Sequence, residues 1–304
     1  MRLEIPVGER SMVLETGKLA RQAGGAVLTQ LGDTVVLATA TRSAAPRPGV
    51  DFLPLSVDIE ERMSSAGKIP GSFIKREGRP SERAILTARL TDRPLRPLFP
   101  KGYRNEIQVI GTVFGADQET PYDTVSMVGA SAALSLSDMP FDGPIGAVRV
   151  ARTLDGEFVL NPTYGQIEES DLDLVVAGTK EAITMVEAGA DEVPEEVMVE
   201  ALLIAQEAIR EQAEAIEGWA REHGKEKQEV VATGDENPFA AELRERYLDR
   251  IKDAIVNPDR RGRHEALDEL EAELVEGREP EEAEQVHAAV STLEKEAFRK
   301  LYLE

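Results

Sequence analysis

Cysteine is absent from the 304 residues. Its absence removes disulfides, thiolate nucleophiles and Cys-ligated zinc or iron–sulfur centres. Histidine is scarce: His223, His264 and His287 are the only three, all in the last third of the chain. A Ser–His–Asp triad, a His-ligated metal or a histidine general base is thereby excluded before residue 223, and the three are expected on the surface. No stretch approaches the ~18 consecutive apolar residues of a membrane span. The opening MRLEIPVGER lacks the basic and then apolar pattern of a secretory leader. No GxxxxGK[ST] loop occurs, since Gly67-Lys68 and Gly17-Lys18 lack both the spacing and the following hydroxyl, and no GxGxxG follows a strand. A cytoplasmic globular protein is the expectation.

Hydrophobic residues make up 41% and charged residues 30%, enough for a folded core in one large or two ordinary domains. The net charge of −22 is unevenly spread. Residues 1–190 carry −5 and residues 191–304 carry −17. Within the first part, residues 62–104 hold 11 Lys and Arg against Glu77, Glu82 and Asp92. An acidic chain that gathers its cations in one stretch points to a polyanionic partner there. Ordinary surface pairing is the alternative.

The first 190 residues read mostly as strands. Residues 26–40 form two around a Leu31-Gly32-Asp33 turn, 51–60 and 106–114 add two more, and 147–160 is a hairpin at Asp155-Gly156. Residues 172–188 make another hairpin, turning at Gly178-Thr179-Lys180. One helix starts at Ser81 and is stopped by Pro94. A second covers 122–138, where Gly129 through Ala133 are small enough to lie close against a sheet. The fold class is therefore α+β, a mixed-sheet core. After Pro194 an amphipathic stripe (Val197, Ala201, Ala205, Ala208, Ile209, Ala213, Ile216) begins an all-helical region, with later helices over 238–256, 263–276 and 280–303. The last helix reaches Glu304 without a Gly or Pro stop, which suggests that the natural chain continues.

The segment KIPGSFIKREGRPSERAILTARLTDRPLRPLFPKGYRNE (68–106) carries the most chemistry. Pro70-Gly71 and Glu77-Gly78 bracket Ser72-Phe73-Ile74-Lys75-Arg76, an expected exposed loop. A ring that stacks on a base beside cations that meet phosphates suits single-stranded nucleic acid. The alternative is that Phe73 and Ile74 plug the core while Lys75 and Arg76 only lie on the surface. Arg89, Arg93 and Arg96 stand four and three apart, on one helix face if Pro94 permits; capping or pairing with Asp92 or Glu106 is their other reading. Asp171 and Asp173, two apart at a strand start, are expected to point to the same side. Such a pair suits Mg²⁺ with substrate phosphates, although a solvent-facing strand edge explains it more simply.

The strings LETGKLARQAGGAVL (14–28), IPGSFIKREGRPSERAILTARLTDRPLRPLFPKGYRNEIQVI (69–110), MVGASAALSLSDMPFDGPIGAVRV (127–150) and ESDLDLVVAGTKEAITMVE (169–187) resemble the N-terminal part of the bacterial polynucleotide phosphorylase (polyribonucleotide nucleotidyltransferase) family. The resemblance implies a first ribonuclease PH-like core over 1–190 and an all-helical domain over 191–304. The family's second, catalytic core and its KH-type and OB-type RNA-binding modules are not in this sequence. It implies phosphorolytic 3′–5′ degradation of RNA to nucleoside diphosphates, with inorganic phosphate as co-substrate and Mg²⁺ assisting. It also implies a homotrimeric ring threading single-stranded RNA, association with RNA-degradation machinery, and no membrane. Opposite the second core's Ser-rich phosphate turn stands Tyr122-Asp123-Thr124-Val125-Ser126, where Asp123 would repel phosphate. Asp171 and Asp173 fall opposite metal-binding acids whose supporting neighbours are missing. No catalytic and no metal-ligating residue is therefore assigned here, and the isolated chain is expected to be inactive.

RNA contact carries over to Phe73, Lys75 and Arg76 of the channel loop, to Arg93 and Arg96 of the DRPLRP string, and to Arg149 of GAVRV. Ile74 departs from the family's second aromatic. Lys18 and Arg21 are expected to be structural. Two other readings stand beside this one: a catalytically silent ring subunit of an exonuclease assembly, and an acidic helical adaptor.

Overall fold

The computed structural model describes residues 1–47, 50, 52–71, 73, 75–230 and 237–303. Asp51, Ser72 and Ile74, each part of an expected element or loop, lie outside the described residues.

The chain opens with a hairpin absent from the sequence expectation, β1 (Arg2–Val7) and β2 (Arg10–Thr16). Ile5, Val7, Met12 and Leu14 alternate with exposed or half-buried neighbours, and Gly8 supplies the left-handed turn at φ +61°. The strands β3 (Gly25–Leu31), β4 (Thr34–Pro46) and β5 (Leu55–Glu61) follow. Next comes α1 (Glu82–Leu95), whose Ser81 Oγ accepts from the Ala84 N–H at 3.0 Å, the expected N-cap.

Pro94 does not stop this helix. It lies in the last turn, and Leu95 is still helical. A tighter 3₁₀ turn over Arg96–Leu98 takes up the change in pitch after the proline forfeits its bond to the preceding turn.

The long strand β6 (Asn105–Gly115) completes a six-stranded sheet in the order β1-β2-β3-β4-β6-β5, antiparallel except where β5 runs parallel to β6. Then come α2 (Asp123–Leu136), β7 (Gly146–Thr153), β8 (Phe158–Leu160), the short α3 (Tyr164–Glu168), β9 (Ser170–Gly178) and β10 (Ile183–Ala190). The last four strands make an antiparallel sheet in the order β10-β9-β7-β8.

All of α2 is buried, packed on β3, β4 and β6 of the first sheet and on β7 of the second. Its small residues permit that contact. A Cβ on Gly129 would sit 2.6 Å from Thr29 Oγ1, and one on Gly25 would sit 1.9 Å from the Ala133 carbonyl oxygen. These glycines therefore set how closely helix and sheet approach.

Helix α4 (Glu195–His223) lays Ala201, Ala205, Ile209, Ala213, Ile216 and Trp219 against β7, β9, β1 and α2. Its buried Gln212 accepts from the Ala147 N–H at 2.8 Å. The change in composition falls at residue 190, whereas the compact units are Met1–Val231 and Ala232–Glu304. The first helix of the helical region is thus part of the sheet-bearing unit, because its small-residue stripe fits the second sheet.

The second unit contains α5 (Ala240–Ile255), α6 (Arg260–Val275) and α7 (Pro280–Leu303), close to the expected ranges. Leu243, Ile251, Leu270, Val286, Val290 and Leu293 form its core. Asp259 caps α6 by accepting from the Arg261 and Gly262 N–H groups. His264 and His287 are exposed, as expected, while His223 is half-buried beside the Trp219 ring. No helix among the described residues is long and apolar enough to cross a membrane.

Candidate functional site

The cationic segment leaves β5 through a 3₁₀ turn (Met63–Ala66) that ends at Gly67 in the left-handed region. The Glu77 carboxylate accepts from the Met63 N–H at 3.1 Å, tying the far end of the loop back to its start. Between these anchors Phe73 is 101% exposed, so its ring fills no part of the core. Lys75 (φ +50°) and Arg76 are exposed too. Among the described residues neither has a carboxylate partner, in contrast to Arg62, Arg93 and Arg96. An exposed ring and two cations with no carboxylate partner among the described residues thus stand close together in the sequence.

The DRPLRP arginines are already occupied, to different degrees. Arg93 reaches Glu187 of β10 at 2.7 Å, with both side chains about half exposed, so the pair is readily exchanged. Arg96 is held more firmly. It makes two contacts with the Asp92 carboxylate, at 2.7 and 2.9 Å, and donates to the Leu53 and Leu55 carbonyls at 3.1 Å. It clamps the entry to β5. Lys18 pairs with Glu15 and Arg21 donates to the Gly17 carbonyl, local contacts of the structural kind expected.

Behind the loop lie two cavities that share Arg83, Tyr122 and Tyr164 in their walls, of about 930 Å³ and 520 Å³. Arg62, Lys68 and Arg79 line the larger. The Tyr122 hydroxyl donates to Glu61 at 2.7 Å, and burial together with that carboxylate pushes its pKa far up. The Arg83 guanidinium sits 4.5 Å from the centroid of the Tyr164 ring. Tyr164 was not singled out in the sequence. Its one signal is the capping box Thr163-x-x-Gln166, which fixes the first turn of α3 and hence the ring.

Arg149 faces the smaller cavity in a setting unlike the loop cations. Its Nε and Nη2 grip Asp173 of β9 at 2.6 and 2.7 Å, and its Nη1 reaches Asp123 of α2 at 2.6 Å. Burial opposes its charge, but Asp173 and Asp123 outweigh that and raise its pKa. The second oxygen of Asp123 accepts from the Thr124 N–H at 2.7 Å, and the Ser126 hydroxyl donates back to the Tyr122 carbonyl. The first turn of α2 thus carries a carboxylate, held by the Thr124 N–H and by Arg149, where an incoming phosphate would be repelled.

Asp171 and Asp173 do not act as a pair. Asp171 bonds Arg152 at 2.8 Å while Asp173 bonds Arg149, because a shift in register between β7 and β9 brings a different arginine to each. Both oxygens of Asp173 are taken by the Arg149 guanidinium and one oxygen of Asp171 by Arg152, so the two carboxylates do not offer a joint seat for Mg²⁺. Among the described residues no group of three or more His, Asp or Glu is poised to hold a metal.

Two sheets enclosing one buried helix, with a second helix across the back, define a ribonuclease PH-like α+β core. A crystal structure of rice Rrp46 shares this fold, with a TM-score of 0.53 at 16% identity over 69% of this chain and 92% of that one. Residues 8–140 match the 3′ exoribonuclease family, domain 1, and residues 143–208 match its domain 2. The chain belongs to the 3′ exoribonuclease family. It is 74% identical over its whole length to the polyribonucleotide nucleotidyltransferase of Rubrobacter xylanophilus. Over 97% of its length it is 52% identical to that of Heliobacterium modesticaldum. It spans 44% and 42% of those two proteins.

Proposed function

We propose that this chain serves as the first core and helical part of a cytoplasmic polyribonucleotide nucleotidyltransferase, guiding single-stranded RNA without performing the chemistry. The observation that carries this reading is the exposed Phe73 near Lys75 and Arg76, which have no carboxylate partner among the described residues. Stacking is indifferent to base identity, and the cations follow the phosphate backbone, which suits an enzyme that must draw any sequence through. Arg93 joins them by exchanging Glu187 for a phosphate. Arg96 and Arg149 act through the structure, as clamps on β5 and on α2. In the whole protein a second core supplies the phosphate site and Mg²⁺, and three chains in a ring present several such loops to one strand, alongside other RNA-degradation proteins.

Phe73→Ala is expected to weaken oligo(A) binding by about 1–3 kcal/mol, with an unchanged melting temperature because the ring is wholly exposed. Fluorescence anisotropy and thermal melts on the same samples check this. Equal losses in both would return Phe73 to a packing role.

The 304-residue chain, supplied with poly(A), inorganic phosphate and Mg²⁺, is expected to release no nucleoside diphosphate. Chromatographic detection of ADP at a rate above a no-enzyme control would contradict the assignment of a silent core.

A further inference from the structure

A second exposed ring stands among cations, at the end of β5 opposite the Phe73 loop. Phe52, just before that strand, is 59% exposed. The chain that follows it is pinned. Arg96 donates to the Leu53 and Leu55 carbonyls at 3.1 Å, and the Ile107 N–H donates to the Pro54 carbonyl at 2.9 Å. A lone exposed ring needs no explanation; its neighbours set this one apart. Strands β4 and β6 meet here with Pro46 opposite Asn105, and the Arg47 N–H donates to the Arg104 carbonyl at 2.9 Å. The topology thus gathers Arg47, Lys101 and Arg104 at the sheet edge that the Phe52 loop crosses. Arg47 and Lys101 are exposed, while Arg104 is half-buried and donates to the Tyr103 carbonyl. Among the described residues none of the three has a carboxylate partner, Glu106 included. In a chain of net charge −22 that is a local excess of cations, and like charges so gathered repel until an anion lies between them.

We propose that this rim is a second contact for single-stranded RNA, in which Phe52 stacks on a base while Arg47 and Lys101 meet phosphates. The proposal rests on the reading that this chain guides RNA. A flat ring beside cations favours a nucleic acid over an acidic protein surface, which needs the charges and not the ring. The seven residues of β5 hold the two loops about 23 Å apart. Helix α1 packs on β5 and brings its Arg96 end to Leu53, so its exposed Arg89 and Arg93 stand between the two loops. One strand then runs from Phe73 along α1 to Phe52, with a ring at each end. Linking two such contacts raises affinity through effective concentration. Phe52 also supplies a second flat face, which Ile74 does not.

The test irradiates the 304-residue chain with thiouridine-substituted oligo(U) long enough to reach both ends, and maps the crosslinked peptides by mass spectrometry. Crosslinks are expected on the peptide carrying Phe52 as well as on the one carrying Phe73. Crosslinks at Phe73 alone overturn this proposal and leave the loop reading intact. Crosslinks at Phe52 alone do the reverse, and none at either overturns both. Affinity gives a second readout. Phe52→Ala and Phe52→Leu are each expected to weaken binding of long oligo(A) about 5–100-fold, the loss of one stacked base, with unchanged melting temperature. Leucine keeps apolar bulk without a flat face, so parent-like affinity in Phe52→Leu would overturn the stacking role. Long strands should also show a salt slope steeper by about 1.4 than the loop alone gives, and Arg47→Ala with Lys101→Ala should remove that excess. Unchanged RNA affinity in these variants, with altered self-association in sedimentation velocity, would give the rim to the acidic surface of a second copy and overturn the proposal.

Discussion

Asp173→Asn is expected to destabilise the first compact unit by about 3 kcal/mol, the low end of the cost of breaking a buried ion pair. The melting temperature should fall by roughly 6–12 °C for a unit of this size. The amide preserves shape but cannot accept both bonds of the Arg149 fork, so a guanidinium only 17% exposed is left partly unpaired. The residual exposure of Asp173, 29%, keeps the figure from the upper end. Replacing all three charges, with Arg149→Met, Asp173→Leu and Asp123→Asn, should cost less than Asp173→Asn alone, because neither a buried guanidinium nor the buried Asp123 carboxylate is then left without its partner. Denaturant unfolding followed by tryptophan fluorescence serves here, since Trp219 is the single tryptophan and packs into the same core. A loss below about 0.5 kcal/mol for Asp173→Asn would reduce the cluster to an ordinary surface pair.

Much of this molecule is legible in its residues. Ser81 announces α1, Asp155-Gly156 turns β7 into β8, and the small residues of α2 predict a helix pressed against a sheet. Each of these is a local signal with a local physical cause. The hairpin β1–β2 was equally local, but it lies in a short stretch whose alternation is diluted by Glu4, Glu9 and Arg10. The failures elsewhere share a different origin. Whether Pro94 ends a helix depends on the turn that follows, and the unit boundary depends on α4 finding the second sheet. Neither is written in the window that contains it.

The site shows the same division. Phe73, Lys75 and Arg76 could be singled out by type and spacing, and the structure leaves all three exposed. Arg149 carries the same charge, yet its partners stand 26 residues earlier and 24 later. Only the folded register brings Asp123 and Asp173 to it. Charge in a sequence marks where a phosphate could be met; pairing across sheets decides which charges remain free to meet it.

The proposal that the exposed loop holds RNA through its backbone is tested most directly by the salt dependence of binding. With Lys75, Arg76 and Arg93 each neutralising one phosphate, log Kobs for oligo(A) should fall with log salt at a slope near −2, at about −0.7 per contact. Lys75→Ala with Arg76→Ala should make the slope shallower by about 1.4. The gap between parent and mutant then narrows roughly sevenfold between 50 and 200 mM salt. Neither side chain packs in the core or pairs with a carboxylate among the described residues, so thermal stability should be unchanged. Fluorescence titrations of labelled oligo(A) at matched oligomeric state decide the matter. A slope shallower by about 1.4 is the predicted result, and the parent's slope retained in the double mutant would contradict the account.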